Sequence, residues 1–108
     1  VAVLPEEDFS ALRPDARAHV LRHDGRTQLR RRGFTVVPDN MRFEPLVKAV
    51  SVPYYSSDFA APVGFSCGAM AKFLPDTRIV QEVGPALRQV VRELEARTGQ
   101  PPAWETPR

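Results

Sequence analysis

Eleven prolines in 108 residues are the feature that most limits how this chain can fold. Proline lacks the amide hydrogen that helices and sheets use, so it is confined to first helical turns, edge strands and turns. Each helix or strand must therefore fit mainly between two prolines. This spacing predicts short strands and helices of moderate length, with boundaries that can be placed along the sequence.

Size and composition indicate one globular domain. A chain of 108 residues can bury one hydrophobic core but hardly two. Apolar residues make up 43% and charged residues 26%, as in ordinary folded proteins. The single cysteine, Cys67, excludes an internal disulfide, and two histidines are too few for the usual metal frameworks. With no membrane-length apolar run and no export signal, we expect a soluble cytoplasmic protein without a metal or other cofactor.

Two helices are predicted in the first third of the chain. Pro5 and the acidic residues after it begin a short helix that ends before Pro14. Residues 14–32 fit either a hairpin that turns at Asp24-Gly25 or a helix. We favour a helix over residues 26–32, because Gly33 follows where a C-terminal glycine cap belongs.

The strongest helical pattern lies near the C-terminus, where an apolar stripe at helical spacing is followed by Gly99. Its members are Leu87, Val90, Val91 and Leu94. The stripe continues upstream to Val80, which predicts either one helix from about Asp76 with a kink at Pro85 or two stacked helical pieces.

Three strands are predicted, at residues 34–37, 46–53 and 63–73. The third shows the clearest alternation between apolar and small residues. Its apolar members are Val63, Phe65, Cys67, Ala69, Ala71 and Phe73. We therefore expect these residues to face the core, with Cys67 buried. The fold class is α/β (α+β): an antiparallel sheet of three or more strands covered by helices.

Candidate chemical groups have simpler structural explanations. Cys67 would serve as a nucleophile only with a base such as Tyr54 or Asp58, and its apolar surroundings favour a core or pocket-wall role. His19 and His23 have the spacing of a helical metal pair but lack further ligands. The arginines around residues 30–32 would spread around a helix, and the net charge of +2 is too small to make the whole domain bind polyanions.

The order of the segments from Leu4 to Gly99 resembles the latter part of the effector-binding domain of the IclR family of bacterial transcription regulators. The matching segments are LPEEDF, LRRRGFTVVPD, FEPLVKAVSVPYY, APVGFSCGAMAKF and GPALRQVVRELEARTG. The resemblance implies an incomplete GAF-like domain over residues 1–99, followed by a flexible tail over residues 100–108. It implies effector sensing without enzymatic activity, a homodimer or homotetramer, and DNA contact only through a winged helix outside this chain.

The family's effector positions carry over to particular residues of this sequence. The acidic position falls on Asp39, a Cys/Ser position becomes Ala49, and two hydroxyl positions become Cys67 and Ala69. Phe65 and Tyr54 complete the expected effector-binding set. The lost hydroxyl groups predict an effector that is apolar or an aromatic acid, since a buried carboxylate without hydrogen-bond donors is unfavourable.

Two other functions are compatible with the sequence. One is a stand-alone dimerisation module that uses the helix bearing Leu87, Val90 and Leu94 and binds no ligand. The other is a small cysteine-dependent enzyme, which would need a base within hydrogen-bond reach of the Cys67 sulfur. An incomplete sheet would also have to pair with another copy or a partner, because an open edge promotes unwanted association.

Overall fold

The computed structural model describes residues 2–42 and 44–104 of the chain. Four helices and three strands follow one another, with short 3₁₀ turns at Asp39–Met41 and Ala71–Phe73. The elements are α1 (Glu6–Ala11), α2 (Ala16–Arg32), β1 (Thr35–Val36), β2 (Val47–Ser56), β3 (Ala61–Met70), α3 (Asp76–Arg78) and α4 (Gly84–Thr98).

The three strands form one antiparallel sheet in the order β1-β2-β3. Strands β2 and β3 make a long hairpin whose register runs from Val47 opposite Met70 to Ser56 opposite Ala61. The short strand β1 pairs on the other side of β2, with Thr35 opposite Ser51. The predicted antiparallel sheet covered by helices is confirmed.

Alternation along the strands gives the sheet two different faces. We call the side that packs on α4 the helix face and the other side the open face. The helix face of β1 and β2 carries Val36, Lys48, Val50, Val52 and Tyr54, and that of β3 carries Val63, Phe65, Cys67 and Ala69. The open face carries Thr35, Ala49, Ser51, Gly64, Ser66 and Gly68. The hydrophobic core lies between the helix face and α4, where Val50, Val52 and Val91 are fully buried.

Helix α2 is longer than predicted. It begins at Ala16, after Asp15 accepts a hydrogen bond from the amide of Ala18 at 2.8 Å, and it ends at Gly33 with φ of 80°. The hairpin alternative is wrong, and the helix starts ten residues before the predicted residue 26. Gly25 does not form a turn, because it lies in the helix where a Cβ atom would come within 2.8 Å of the Cβ of Ala2.

The C-terminal helical stretch runs without a break from Asp76 to Thr98, as the single-helix alternative predicted. A π-helical turn at Ile79–Val83 joins α3 to α4, just before Pro85. Proline cannot donate to the carbonyl four residues earlier and its ring clashes with that carbonyl, so the wider turn relieves the contact.

The third strand is partly as expected. Val63, Phe65 and Ala69 pack against the core, as the alternation predicted. Cys67, on the same face, is exposed, so its predicted burial is wrong. The reason is that β3 is an edge strand and α4 packs mainly over β2. The strand also ends at Met70, which leaves Phe73 in a turn with 58% of its surface exposed.

The segment after α4 folds back onto the domain. Ala103 is 2% exposed, and the guanidinium of Arg88 stacks 4.6 Å from the centre of the Trp104 ring. Residues 100–104 are therefore not the loose tail that the sequence suggested. Residues 105–108 of that predicted tail lie outside the described residues.

Candidate functional site

The open face of the sheet borders a cavity of about 260 Å³ next to α2. Its wall is made by α2, by β1 and β2, and by the segment that connects β1 to β2. The lining residues are Arg17, Leu21, Thr35, Val36, Val37, Arg42, Glu44, Val47, Ala49 and Ser51. A neighbouring cavity of about 320 Å³ shares Thr35 and Ser51 with it. The two cavities meet at this pair of cross-strand neighbours.

Small side chains create the space above this face. Ala49 lies directly opposite Gly68, and a Cβ atom at Gly68 would be only 3.7 Å from the Cβ of Ala49. The next open-face pair, Ser51 and Ser66, joins its hydroxyl groups at 2.7 Å. Glycine in a strand commonly marks a place where another group approaches closely. Around Ala49 and Ser51 this face therefore combines hydroxyl groups with small side chains.

Arginine side chains supply positive charge at the rim of the 260 Å³ cavity. Arg42 is largely buried, with 17% of its side chain exposed, and its Nη1 atom lies 3.6 Å from Oδ1 of Asp39. Its Nε atom is buried and has no acceptor within the described residues. Arg17 donates to the carbonyl oxygen of Met41. Guanidinium groups are favourable partners for a carboxylate, and Arg42 and Arg17 line the same cavity as Ser51.

One carboxylate already borders this cavity. Glu44 is exposed, and its Oε1 atom accepts a hydrogen bond from the amide of Leu46 at 3.1 Å. Its charge partly offsets the two arginines. A bound anion would therefore need to contact Arg42 and the strand hydroxyls directly.

The predicted effector-binding residues do not form one site. Ala49 lies on the open face and lines the 260 Å³ cavity. Asp39 is not among the residues that line this cavity, but it forms an ion pair with Arg42, which is. The other four residues lie on the helix face, beneath or beside α4: Tyr54, Phe65, Cys67 and Ala69. Side chains on opposite faces of a sheet point away from each other, and none of these four residues lines the 260 Å³ cavity.

Two of those helix-face residues have structural roles. The hydroxyl of Tyr54 donates to Oγ1 of Thr98 at 2.8 Å, which ties β2 to the end of α4. Phe65 packs edge-on against Tyr54 with ring centres 6.0 Å apart. Both contacts stabilise the core.

Sequence reasoning missed Ser51, Ser66, Arg17 and Arg42. Ser51 follows Ala49 by two residues, so the alternation of β2 alone could have placed it on the same face. Ser66 could not be found in this way, because its position opposite Ser51 depends on how β2 and β3 align across their turn.

An ion pair also lies at one end of the core, on the helix face of the sheet. Lys48 is 7% exposed and forms an ion pair with Asp76, at the start of α3. This hydrogen bond and the ammonium charge hold the pKa of Asp76 below its ordinary value. Arg32 lies nearby, and burial lowers the pKa of its guanidinium. Both groups border a third cavity of about 380 Å³ between α2 and the π-helical turn.

The cysteine-enzyme arrangement is not assembled. Asp58 lies in the turn that follows Ser56, and Cys67 lies six residues into β3 beyond Ala61, roughly 20 Å along the strand. Tyr54 pairs with Val63, four residues before Cys67, and its hydroxyl is bonded to Thr98. Neither side chain is placed to activate the thiol.

The two histidines, His19 and His23, both lie on α2. His19 packs edge-on against Phe9, with ring centres 5.2 Å apart. Within residues 2–42 and 44–104 no group of three potential metal ligands is present, and no helix is both long and apolar enough to cross a bilayer.

Comparison with known proteins identifies a similar fold. The structure is similar to part of the crystal structure of an IclR family transcriptional regulator from Brucella abortus, with a TM-score of 0.72 over 89% of this chain. The sequences are 17% identical, and this chain spans 39% of the length of that regulator. No protein-family model matches the sequence, and no curated protein does. The resemblance to IclR regulators inferred from the order of segments is thus confirmed at the level of the fold.

Proposed function

We propose that this chain is the effector-sensing and oligomerisation part of a bacterial transcription regulator of the IclR type, acting in the cytoplasm. The sensing domain would extend over residues 1–99, and DNA would be contacted by a winged helix outside this chain. The shared fold supports the regulator role. The cavity on the open face supports sensing, because ligand sites are commonly concave and apolar with a few convergent polar groups.

The observation that carries this proposal is the guanidinium-bearing side chain of Arg42, 17% exposed, which lines a cavity together with Ala49 and Ser51. A ligand carboxylate would pair with Arg42 and accept a hydrogen bond from the hydroxyl of Ser51, which can itself accept from the hydroxyl of Ser66. The hydroxyl of Thr35 already donates to the carbonyl oxygen of Ser51 at 3.4 Å. The apolar part of the ligand would lie on Leu21 and the sheet. Arg42 and the strand hydroxyl groups supply hydrogen-bond donors that the residues at the family's effector positions lack in this sequence. The effector is therefore an acid rather than a neutral apolar molecule.

The size of the cavity limits the ligand. Pockets for drug-sized ligands occupy about 300–1,000 Å³, and this cavity is about 260 Å³. We therefore propose a small acid with one aromatic ring or a short apolar chain.

Thermal-shift measurements with benzoate and phenylacetate would test the proposal, with benzamide as the uncharged analogue. A ligand that binds only the folded state stabilises it by RT ln(1 + [L]/Kd), or about 2.7 kcal/mol at a hundredfold excess over Kd. We expect the acids to raise Tm with increasing concentration and benzamide to have little effect. Equal effects of benzoate and benzamide would contradict the role of Arg42.

Two pairs of variants locate the site. Ala49→Leu fills the cavity floor and should abolish the shift, whereas Cys67→Leu adds the same side chain to an exposed position on the opposite face. Arg42→Gln removes the buried cation, and Arg78→Gln removes an exposed one. If Ala49→Leu leaves the benzoate shift unchanged, the ligand does not bind on the open face.

A dimerisation module built on α4 has less support. Val91 is fully buried, and Leu87 and Leu94 pack against the core, so most of the apolar stripe is already used within the domain. Among the stripe residues on α4, Val90 is 56% exposed, and Val80, in the π-helical turn upstream, is 49% exposed.

A further inference from the structure

The cavity of about 380 Å³ between α2 and the π-helical turn is separate from the proposed effector site. Its wall combines charged residues of α2 with the segment after β1 and the beginning of α3. Val36 and Val37 also line the 260 Å³ cavity, but none of the described residues of β2 or β3 lines this one. Sites for small ligands occupy about 300–1,000 Å³. The cavity is therefore large enough for one small molecule.

A row of three side chains on α2 lines this cavity. Asp24, Gln28 and Arg32 follow one another at four-residue spacing, which places them on one side of the helix. The amide group of Gln28 accepts from Nη2 of Arg32 at 2.6 Å and donates to Oδ2 of Asp24 at 2.6 Å. It also pairs with the backbone C=O and N–H of Val36, at 2.7 and 2.8 Å. Gln28 is thus fixed between α2 and β1, and it holds a guanidinium and a carboxylate at a defined separation.

The separation of these two charged groups suits a particular class of ligand. Two hydrogen bonds of 2.6 Å and the width of one amide group place Nη2 of Arg32 no more than roughly 8 Å from Oδ2 of Asp24. An α-amino acid carries its ammonium and its carboxylate on either side of one carbon atom. With a hydrogen bond of about 2.9 Å at each end, such a molecule spans a gap of this size.

The carboxylates around the cavity differ in whether they have a cationic partner. Asp39 lies 3.6 Å from Arg42, and Asp76 pairs with Lys48. Asp24 forms no ion pair with another described residue and bonds only to the neutral amide of α2 described above. Asp24 is therefore the carboxylate of this wall that can pair with an added ammonium group.

Two guanidinium groups supply the opposite charge. Arg31 and Arg32 both line the cavity, and neither forms an ion pair with another described residue. Burial and the nearby charge of Arg31 lower the pKa of Arg32, whereas Asp24 and Asp76 act in the opposite direction. A ligand carboxylate beside both arginines would reduce their mutual repulsion and form charge-assisted hydrogen bonds.

The rest of the cavity wall is apolar. Val37 and Val80 are 43% and 49% exposed, and they line the cavity together with Pro38 and Ile79. An apolar ligand side chain placed here would remove this surface from water, which is favourable.

We propose that this cavity is a second ligand site, which binds a free α-amino acid with an apolar side chain. The ligand carboxylate pairs with Arg32 and Arg31, its ammonium group pairs with Asp24, and its side chain lies on Val37 and Val80. An acid or an amine alone would satisfy only one of the two charges. The site goes beyond the proposed effector function, and neither site requires the other.

NMR spectroscopy of the ¹⁵N-labelled protein tests the site through the side-chain amide signals of Gln28. We expect L-valine, L-leucine or L-phenylalanine to shift these signals in a saturable manner. The analogues of leucine that lack one charge are 4-methylpentanoate, without the ammonium group, and isopentylamine, without the carboxylate. Each should act on Gln28 with an affinity at least roughly tenfold lower than that of leucine.

Variants with matched controls identify the charges that bind the ligand. Asp24→Asn removes the charge but keeps an oxygen for the Gln28 amide, and it should weaken amino-acid binding at least roughly tenfold. Asp58→Asn changes an exposed turn residue in the same way and should leave binding unchanged.

A second variant guards against a folding defect in the first. Arg31 is exposed, so Arg31→Gln should leave the fold intact and still weaken binding. Arg30→Gln is its control, because Arg30 is exposed and does not line the cavity. Circular dichroism would establish that all four variants are folded.

Three results would overturn the proposal: no response of Gln28 to any of the three amino acids, equal affinity for leucine and 4-methylpentanoate, or leucine binding unchanged in both Asp24→Asn and Arg31→Gln. These results are distinct from the benzoate test. Stabilisation by benzoate without amino-acid binding would refute this site and preserve the effector site, and the reverse result would preserve this site alone.

Discussion

The ring of Phe34 lies against the backbone of Gly84, and a Cβ atom at position 84 would come within 2.4 Å of that ring. Phe34 is 3% exposed and precedes β1, whereas Gly84 begins α4. Glycine at this position therefore sets how closely α4 approaches the sheet. The contact is between residues 50 positions apart in sequence, so local pattern gives no indication of it.

Gly84→Ala should destabilise the protein by about 1–3 kcal/mol, because overpacking a tight contact forces neighbours to move. Helix propensity alone predicts the opposite, a gain of about 1 kcal/mol. Urea unfolding would decide between the two effects. Gly64→Ala is the matched control, since its Cβ meets nothing within 4 Å. Increased stability of Gly84→Ala would show that Phe34 is not held against α4.

Asp76→Asn should lower the free energy of unfolding at neutral pH by about 1 kcal/mol. This value lies between the contribution of a surface ion pair and that of a hydrogen bond to a buried charge. The substitution leaves the buried Lys48 without its anionic partner. Asp58→Asn, at an exposed turn position, serves as the control.

The same variant predicts a pH dependence. Because Lys48 lowers the pKa of Asp76 in the folded state, the ionised carboxylate stabilises the fold. That contribution is complete above the ordinary value near 3.8 and is lost as the pH falls through the lower folded pKa. Thermal unfolding of wild type and Asp76→Asn should therefore differ at pH 7, and the difference should shrink as the pH falls through the lowered pKa of Asp76 in the folded state. A difference that persists in acid would assign the effect to something other than this ion pair.

Phe65→Ala should cost about 1–2 kcal/mol, less than the roughly 3–5 kcal/mol expected for a fully buried phenylalanine. Phe65 is half-buried on the edge strand and contacts Tyr54. Phe34→Ala is the comparison, because Phe34 is 3% exposed. Denaturant unfolding in dilute protein measures both; equal losses would mean that the β3 edge is covered.

Several parts of the fold followed from the sequence because they depend on local periodicity. The alternation of β3 correctly placed Val63, Phe65 and Ala69 toward the core, and the stripe through Val91 identified α4. The exposure of Cys67 depends instead on how far α4 extends across the sheet. That extent depends on tertiary packing, and the periodicity of the sequence carries no information about it.

The candidate site was harder to predict for a related reason. Assigning Ala49 together with Cys67 and Ala69 to one pocket assumes a register between β2 and β3. In the structure Ala49 is opposite Gly68. If the predicted site residue on β3 had been moved by one position from Cys67, the prediction would have reached Ser66, which shares the open face with Ala49.

The dipeptide Asp24-Gly25 misled the prediction of α2, because it has the composition of a turn. Only the packing of Gly25 against Ala2 explains a glycine within this helix.

DNA binding by this chain should be weak and sensitive to salt. The basic residues of α2 include Arg26, Arg30 and Arg31, which are exposed, while Arg32 is half-buried and bonded to Gln28 at 2.6 Å. These side chains point in several directions around the helix, and the net charge is only +2. A few phosphate contacts release few counterions, so the association constant should already be low at low salt and should fall with a shallow slope, to no measurable binding at physiological salt. Fluorescence anisotropy with a labelled duplex, titrated at low and at physiological salt, measures this dependence. Sequence-selective binding that survives physiological salt would show that this chain itself recognises a DNA sequence. That result would contradict the proposal that a winged helix outside this chain contacts the DNA.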